Sequence, residues 1–183
     1  MLKRIRIKKY KSLKEIEIAL NPLSVIFGPN AAGKSNFLDA LQLLSRVAVS
    51  RTLKDAFEPP YRGKPLESFT FEEDGIKGLL RHDALSFVME VDVEISDAVA
   101  DAVNRQIREM RKGKALDSKT SPRREKQSYV REKNLRYRIE IEITPRSGML
   151  RIADEYLAAL TADGTVSKKR APSRRPCVVN FIE

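Results

Sequence analysis

A mixed α/β fold is what the sequence predicts, with an early strand–loop–helix unit and a later antiparallel β meander carrying a helical, basic insertion. Three observations point to it. Apolar residues alternate with charges over 2–10 and 16–20, a five-residue apolar run ends at a glycine ahead of a helical repeat, and alternation returns over 84–96 and 137–143. The 183 residues give room for one domain with a sizeable core, or one domain plus an extension.

Each element follows from its local pattern. Leu2, Ile5 and Ile7 alternate with Lys and Arg, and Ile16, Ile18 and Leu20 alternate again, so two half-buried strands joined at Lys11-Ser12 are expected. Asn21-Pro22 breaks the run. Leu23-Ser24-Val25-Ile26-Phe27 is continuous and apolar, the pattern of a strand buried on both faces of a central sheet. From Gly33 onward Phe37, Leu38, Leu41, Leu44 and Val47-Ala48 recur at helical spacing, which predicts a helix of about 15 residues. Residues 55–83, rich in Pro, Gly and acids, read as a surface excursion.

The second half is read the same way. Phe87, Met89, Val91, Val93 and Ile95 share one strand face, and Asp97 is suited to cap a helix to about Lys112 with Val99, Val103, Ile107 and Met110 on one side. Residues 113–128 lack periodicity and read as a loop. Tyr137, Ile139, Ile141 and Ile143 alternate, and Pro145-Arg146-Ser147-Gly148 is a turn. Asp163-Gly164 is a hairpin signal pairing 152–161 with 165–170, although ADEYLAAL over 153–160 also suits a helix. The organisation expected is a unit over 1–54 and an antiparallel lobe over 84–183 with the insertion at about 97–133.

Composition excludes several functions. Hydrophobic residues make up 42% and charged residues 33%, as in folded globular chains. No apolar run approaches the roughly 18–20 residues of a membrane span, and the N-terminus has no signal-peptide pattern. Single residues of cysteine (Cys177) and histidine (His82) exclude a disulfide framework, a cysteine zinc cluster and a multi-histidine metal site. The expected compartment is the cytoplasm.

The net charge of +10 is unevenly spread. Residues 1–14 hold seven basic residues and no acid, 65–101 carry a net −8, and 104–138 a net +9. The last block reads either as a solvated helix and loop or as a surface that neutralises nucleic-acid phosphates. Only Tyr129 and Tyr137 lie nearby to stack on bases.

Gly28-Pro29-Asn30-Ala31-Ala32-Gly33-Lys34-Ser35 matches G-x-x-x-x-G-K-[ST], the phosphate-binding loop. From average residue frequencies, a chance match in a chain this long is on the order of one in a hundred. Gly28 lets the chain leave its strand and Gly33 allows close approach to phosphate. Backbone N–H groups from Asn30 to Ser35 form an anion nest at a helix N-terminus. Lys34 is expected on the β- and γ-phosphates as the catalytic lysine, and the Ser35 hydroxyl on Mg²⁺.

GPNAAGKSN, ending at Asn36 and preceded by a basic strand and YKSLKEIEI, resembles ATPases of the RecF, SMC and overcoming-lysogenization-defect (OLD) type. The resemblance covers about residues 1–45 and weakens over 84–161, where Asp154-Glu155-Tyr156-Leu157 is its main trace. It implies a P-loop NTPase of ABC-head type, of which residues 1–183 form the N-terminal portion. It further implies binding of ATP and Mg²⁺ through residues 28–36, a nucleotide-driven switch acting with DNA in repair or phage defence, and Lys11 and Ser12 near the base. Partners implied are DNA and a head-to-head second copy, or a complementary C-terminal half or partner chain. Ala31 stands where this family often has Gly.

The resembled family hydrolyses ATP with a Walker B strand, an apolar run followed by Asp and Glu, and no such string is present. The nearest are Phe87–Asp92 and Cys177–Glu183. No LSGG-like signature appears, His82 is a weak switch-histidine candidate, and Gln42, Gln106 and Gln127 are undistinguished as sensing glutamines. Two expectations follow: a fragment of a longer ATPase, or alternatively a truncated nucleic-acid- or partner-binding module with a vestigial nucleotide site.

Overall fold

The computed structural model describes residues 1–70, 75–114, 130, 132–167 and 173–174. Its frame is a six-stranded antiparallel sheet in the order β2-β1-β3-β4-β5-β6. The strands are β1 (Leu2–Tyr10), β2 (Leu13–Ala19), β3 (Leu85–Glu94), β4 (Asn134–Thr144), β5 (Met149–Ala159) and β6 (Ser173–Arg174). The helices are α1 (Lys34–Val49), α2 (Leu53–Ala56), α3 (Gly75–Leu79) and α4 (Asp97–Lys114), with a 3₁₀ turn at Pro65–Ser68. No helix among the described residues is long and apolar enough to cross a membrane.

The alternation read from the sequence sets the two sheet faces. Ile5 and Ile7 of β1, Phe87, Met89 and Val91 of β3, and Ile139, Ile141 and Ile143 of β4 point to one side, where Phe37, Ala40 and Leu43 of α1 cover them. Register fixes this, since Ile5 stands opposite Val91 and Ile7 opposite Met89. Tyr10, Phe69 and Phe87 meet edge to face at 5.1–5.3 Å.

The opposite face is a lattice of ion pairs. Asp92 accepts from Arg4 Nε at 2.7 Å and from Arg136 Nε at 2.7 Å, and Arg4 also reaches Glu90 and Glu17. Glu15 takes Arg6 and Lys8 at 2.6 and 2.9 Å, while Arg138 holds Asp154 and Glu140. Burial by itself pushes the Asp92 carboxyl up; hydrogen bonds from Arg136 and Arg4 outweigh it and hold it below the ordinary value of 3.8. The same hydrogen bond to Asp92 holds the Arg4 guanidinium well above its ordinary range. Lys3, Arg4, Arg6 and Lys8 of the basic run 1–14 are thus paired with cross-strand carboxylates.

Several expectations need correction. Leu23–Phe27 forms no strand: Leu23, Val25, Ile26 and Phe27 are 83%, 76%, 44% and 89% exposed. A strand needs an edge to pair with, and no strand among the described residues lies alongside it. Residues 55–83 are no mere surface excursion, because Ala56, Phe57, Tyr61, Phe69 and Leu79 are buried. Helix α4 starts under Ser96, whose hydroxyl accepts from Val99 N–H, so the cap is Ser96 and not Asp97. Its stripe of Val99, Val103 and Met110 is exposed, and Ala100 and Asn104 are buried instead. Residues 153–159 lie in β5, which removes the helical alternative; Leu160 makes an isolated bridge to Val166 across Asp163-Gly164, and residues 165–167 form no strand beyond it. Residues 168–170 of that proposed pair, and 115–129 of the basic block, lie outside the described residues.

Candidate functional site

The glycine-rich loop runs from Gly28 to Gly33 and delivers the chain into α1. Three residues have left-handed backbone: Gly28 at φ +152°, Ala31 at φ +66° and Gly33 at φ +87°. Gly33 is required on two grounds. A Cβ there would stand 3.1 Å from Leu13 Cδ2 and 3.3 Å from Ser12 Oγ, in addition to the strained φ. Ala31 tolerates its φ at a cost of about 1–2 kcal/mol, which a glycine would avoid.

The start of α1 leaves backbone donors uncapped. Gly33 provides no side-chain cap, and the first turn holds no acid. The first intrahelical bond runs from Phe37 N–H to Gly33 O at 2.9 Å, which leaves the N–H groups of Lys34, Ser35 and Asn36 without helical acceptors. These donors, with the helix dipole behind them, follow the exposed stretch 28–32. Lys34 Nζ donates to Gly28 O at 2.8 Å and Pro29 O at 2.6 Å, so its ammonium is folded over the loop. Ser35 is exposed at the helix start, where its hydroxyl is available to a cation. A phosphate chain with a hard divalent cation fits this donor set.

Behind the loop sits a charge cluster that the sequence reading passed over. Asp39, one turn after Ser35, is buried and accepts from Lys11 Nζ at 2.7 Å and Arg62 NH2 at 2.7 Å. Burial pushes its carboxyl up, but Lys11 and Arg62 outweigh that and hold it below 3.8. Asn36 donates to Ser12 Oγ at 2.7 Å, and Lys11 lies 5.1 Å from the Tyr61 ring. Tyr10, Tyr61 and Ser68 continue inward as a hydroxyl chain, with the Tyr10 phenol pushed well up by burial and by Tyr61. The signal for Asp39 was a charge set inside the apolar stripe of α1.

The other sequence candidates are not brought to this site. Glu90 and Asp92 of Phe87–Asp92 lie on the polar sheet face, with the sheet between them and α1, and are held by Arg4 and Arg136. That arrangement removes them as metal-holding carboxylates beside the loop. Ser147-Gly148 is a turn, and Gln42 and Gln106 are exposed. Gln127 and Cys177–Glu183 lie outside the described residues.

Comparison with known proteins gives a consistent result. The family model described as AAA ATPase domain matches residues 1–158. An OLD nuclease from Thermus scotoductus is 46% identical over 44 residues, which is 24% of this chain and 8% of that protein. A DNA replication and repair protein RecF from Chlamydia abortus is 37% identical over 75 residues, covering 39% of this chain and 20% of the relative. RecF from Lactococcus lactis subsp. lactis is 28% identical over 102 residues, covering 55% and 26%. The chain therefore spans about a quarter or less of the length of these relatives.

Proposed function

This chain belongs to the AAA ATPase domain family, and from that premise we propose that it is the ATP·Mg²⁺-binding part of a RecF/OLD-like ATPase of ABC-head type. One observation carries the site assignment: an uncapped helix N-terminus joined to a loop of left-handed residues, with Lys34 folded across it. In this reading the N–H groups from Asn30 to Ser35 take the phosphate oxygens. Lys34 leaves the Gly28 and Pro29 carbonyls to meet the β- and γ-phosphates. The Ser35 hydroxyl holds Mg²⁺, which when bound neutralises the phosphate charge. Gly28, Pro29, Ala31, Ala32 and Gly33 shape the loop, and Asn36 ties it to Ser12.

Hydrolysis needs a carboxylate to orient water. Among the described residues Asp39 is committed to Lys11 and Arg62, and Glu90 and Asp92 are committed on the far face. The chain alone is therefore expected to bind nucleotide and turn it over slowly. The bare segment 23–27 is where a complementary strand adds in this reading, from a C-terminal half or a partner chain. The short span relative to RecF and OLD proteins supports that. The relatives' names, a DNA replication and repair protein and a nuclease, support action with DNA; a role in repair or phage defence, in the cytoplasm, with two heads meeting face to face, belongs to the same reading by resemblance. For the alternative of a basic nucleic-acid module, Lys133, Arg136 and Arg138 are paired with Asp97, Asp92 and Asp154, while residues 115–129 of the block lie outside the described residues.

The test is calorimetric titration with ATP and Mg²⁺. Lys34→Ala should weaken binding by about 10- to 100-fold, as expected for a charge-assisted contact. Undiminished affinity would refute the assignment.

A further inference from the structure

Three consecutive residues where β1 turns into β2 meet three positions at the start of α1, in order. Lys11 Nζ donates to Asp39 Oδ2 at 2.7 Å, and Ser12 Oγ accepts from Asn36 Nδ2 at 2.7 Å. Leu13 Cδ2 lies 3.1 Å from where a Cβ on Gly33 would stand. Each step along the turn thus answers to about one helical turn of α1, down to the glycine that opens it. Asn36 and Asp39, three residues apart, share the helix face that makes this possible.

The turn is held in a conformation it would not adopt unaided. Lys11 has left-handed backbone at φ +48°, which costs about 1–2 kcal/mol for a residue with a Cβ. Three bonds keep it there: its N–H donates to Ser68 O at 2.9 Å, and its ammonium to Asp39 and to Arg62 O at 3.1 Å. Such strain persists where the surroundings over-determine it. Asp39 is the hub, since it also accepts from Arg62 Nε at 3.1 Å and NH2 at 2.7 Å. It is buried beside Phe37 and Ala40, on a helix whose buried stripe is otherwise apolar. A buried ion pair adds little net stability, and its best-attested use is to fix register.

We infer that Asp39 is a positioning residue for the phosphate grip: by anchoring Lys11 it braces the β1–β2 turn against the first turn of α1 and sets where the N–H groups of Lys34, Ser35 and Asn36 point. Asp39, buried and paired, acts on the ligand only through Lys11, Ser12 and Asn36. The inference rests on the phosphate-loop reading and deepens it. Because the brace acts on the amides that take phosphate, its effect is the same with or without a nucleoside attached.

The experiment titrates the chain with ATP and with inorganic tripolyphosphate, each with Mg²⁺, below the unfolding midpoint of every variant. Asp39→Asn keeps the side-chain shape and removes the charge, and should weaken both ligands equally, by about 5- to 20-fold. Ser12→Ala should weaken both by about 2- to 5-fold, and adding it to Asp39→Asn should weaken binding no further. Ile143→Ala, in the buried row of β4, lowers stability away from the brace and should leave both affinities at the parental value. Parental affinity in Asp39→Asn, losses that add in the double variant, a loss confined to ATP, or an equal loss in Ile143→Ala would overturn the positioning role while leaving the loop intact. If Asp39→Asn does not fold, Ser12→Ala decides alone, and parental affinity there overturns the brace. Failure of the parent to bind either ligand overturns the loop reading, and the brace with it.

Discussion

Strand β1 and segment 23–27 are both short and both carry Leu and Ile, yet Ile5 and Ile7 are fully buried while Leu23, Val25 and Phe27 stand in solvent. The difference lies in what each has beside it. β1 has β2 on one edge and β3 on the other, with α1 over its apolar face. Segment 23–27 has no strand alongside among the described residues. Apolar composition alone therefore fixes neither burial nor strand formation; a paired edge is needed to satisfy the backbone. The loop that follows is held from the helix side, by Asn36–Ser12 and by the close approach of Gly33 to Leu13.

The contrast is sharpest under truncation. Phe87→Ala, in the sheet core, should cost about 3–5 kcal/mol in urea unfolding. Phe27→Ala should change stability by no more than about 0.5 kcal/mol. A large cost at Phe27 would break the comparison by showing that the segment packs after all.

The ion-pair face gives the next largest effect. Asp92→Ala leaves Arg4 and Arg136 with one carboxylate fewer on a partly buried face and should cost about 2–3 kcal/mol. Val25→Lys should be neutral in the same assay, since a lysine there meets water.

Acid should distinguish the regions as well. Asp92 and Asp39 both titrate below 3.8 in the folded chain, after Arg and Lys partners outweigh burial. The unfolded chain therefore takes up protons first as pH falls. Stability from these carboxylates is full above the ordinary aspartate value and is lost as pH drops through their lower folded values. Urea midpoints measured downward from pH 5 should fall, and Asp92→Asn should flatten that fall.

The smallest effect belongs to the loop. Ala31→Gly relieves a left-handed alanine but frees the unfolded chain, so the thermal midpoint should move by less than about 1 kcal/mol equivalent. ATP affinity should hold or rise. Ala31→Val, β-branched at positive φ, should weaken ATP binding.

Much of this was legible in the residues. Strands β1 to β4 and α1 follow from period-2 and helical repeats, β5 is indicated by a hairpin signal that leaves a helix open over 153–160, and the candidate loop 28–36 rests on one motif. The failures share a cause. Leu23–Phe27 has the composition of a buried strand, but composition does not say whether an edge is present. Phe57, Tyr61 and Phe69 sit among prolines and glycines, with no period to mark them as core. Lys11, Asp39 and Arg62 are far apart in sequence and meet because segment 62–70 lies against the β1–β2 turn, through Lys11 N–H to Ser68 O.

The central claim is that the start of α1 is the anion seat. Backbone hydrogen exchange with and without ATP·Mg²⁺ reads it directly. Nucleotide seated there adds protection at Gly33, Lys34, Ser35 and Asn36, with little change over β3 and β4. Protection confined to other segments, with these four amides unchanged at saturating nucleotide, would contradict it.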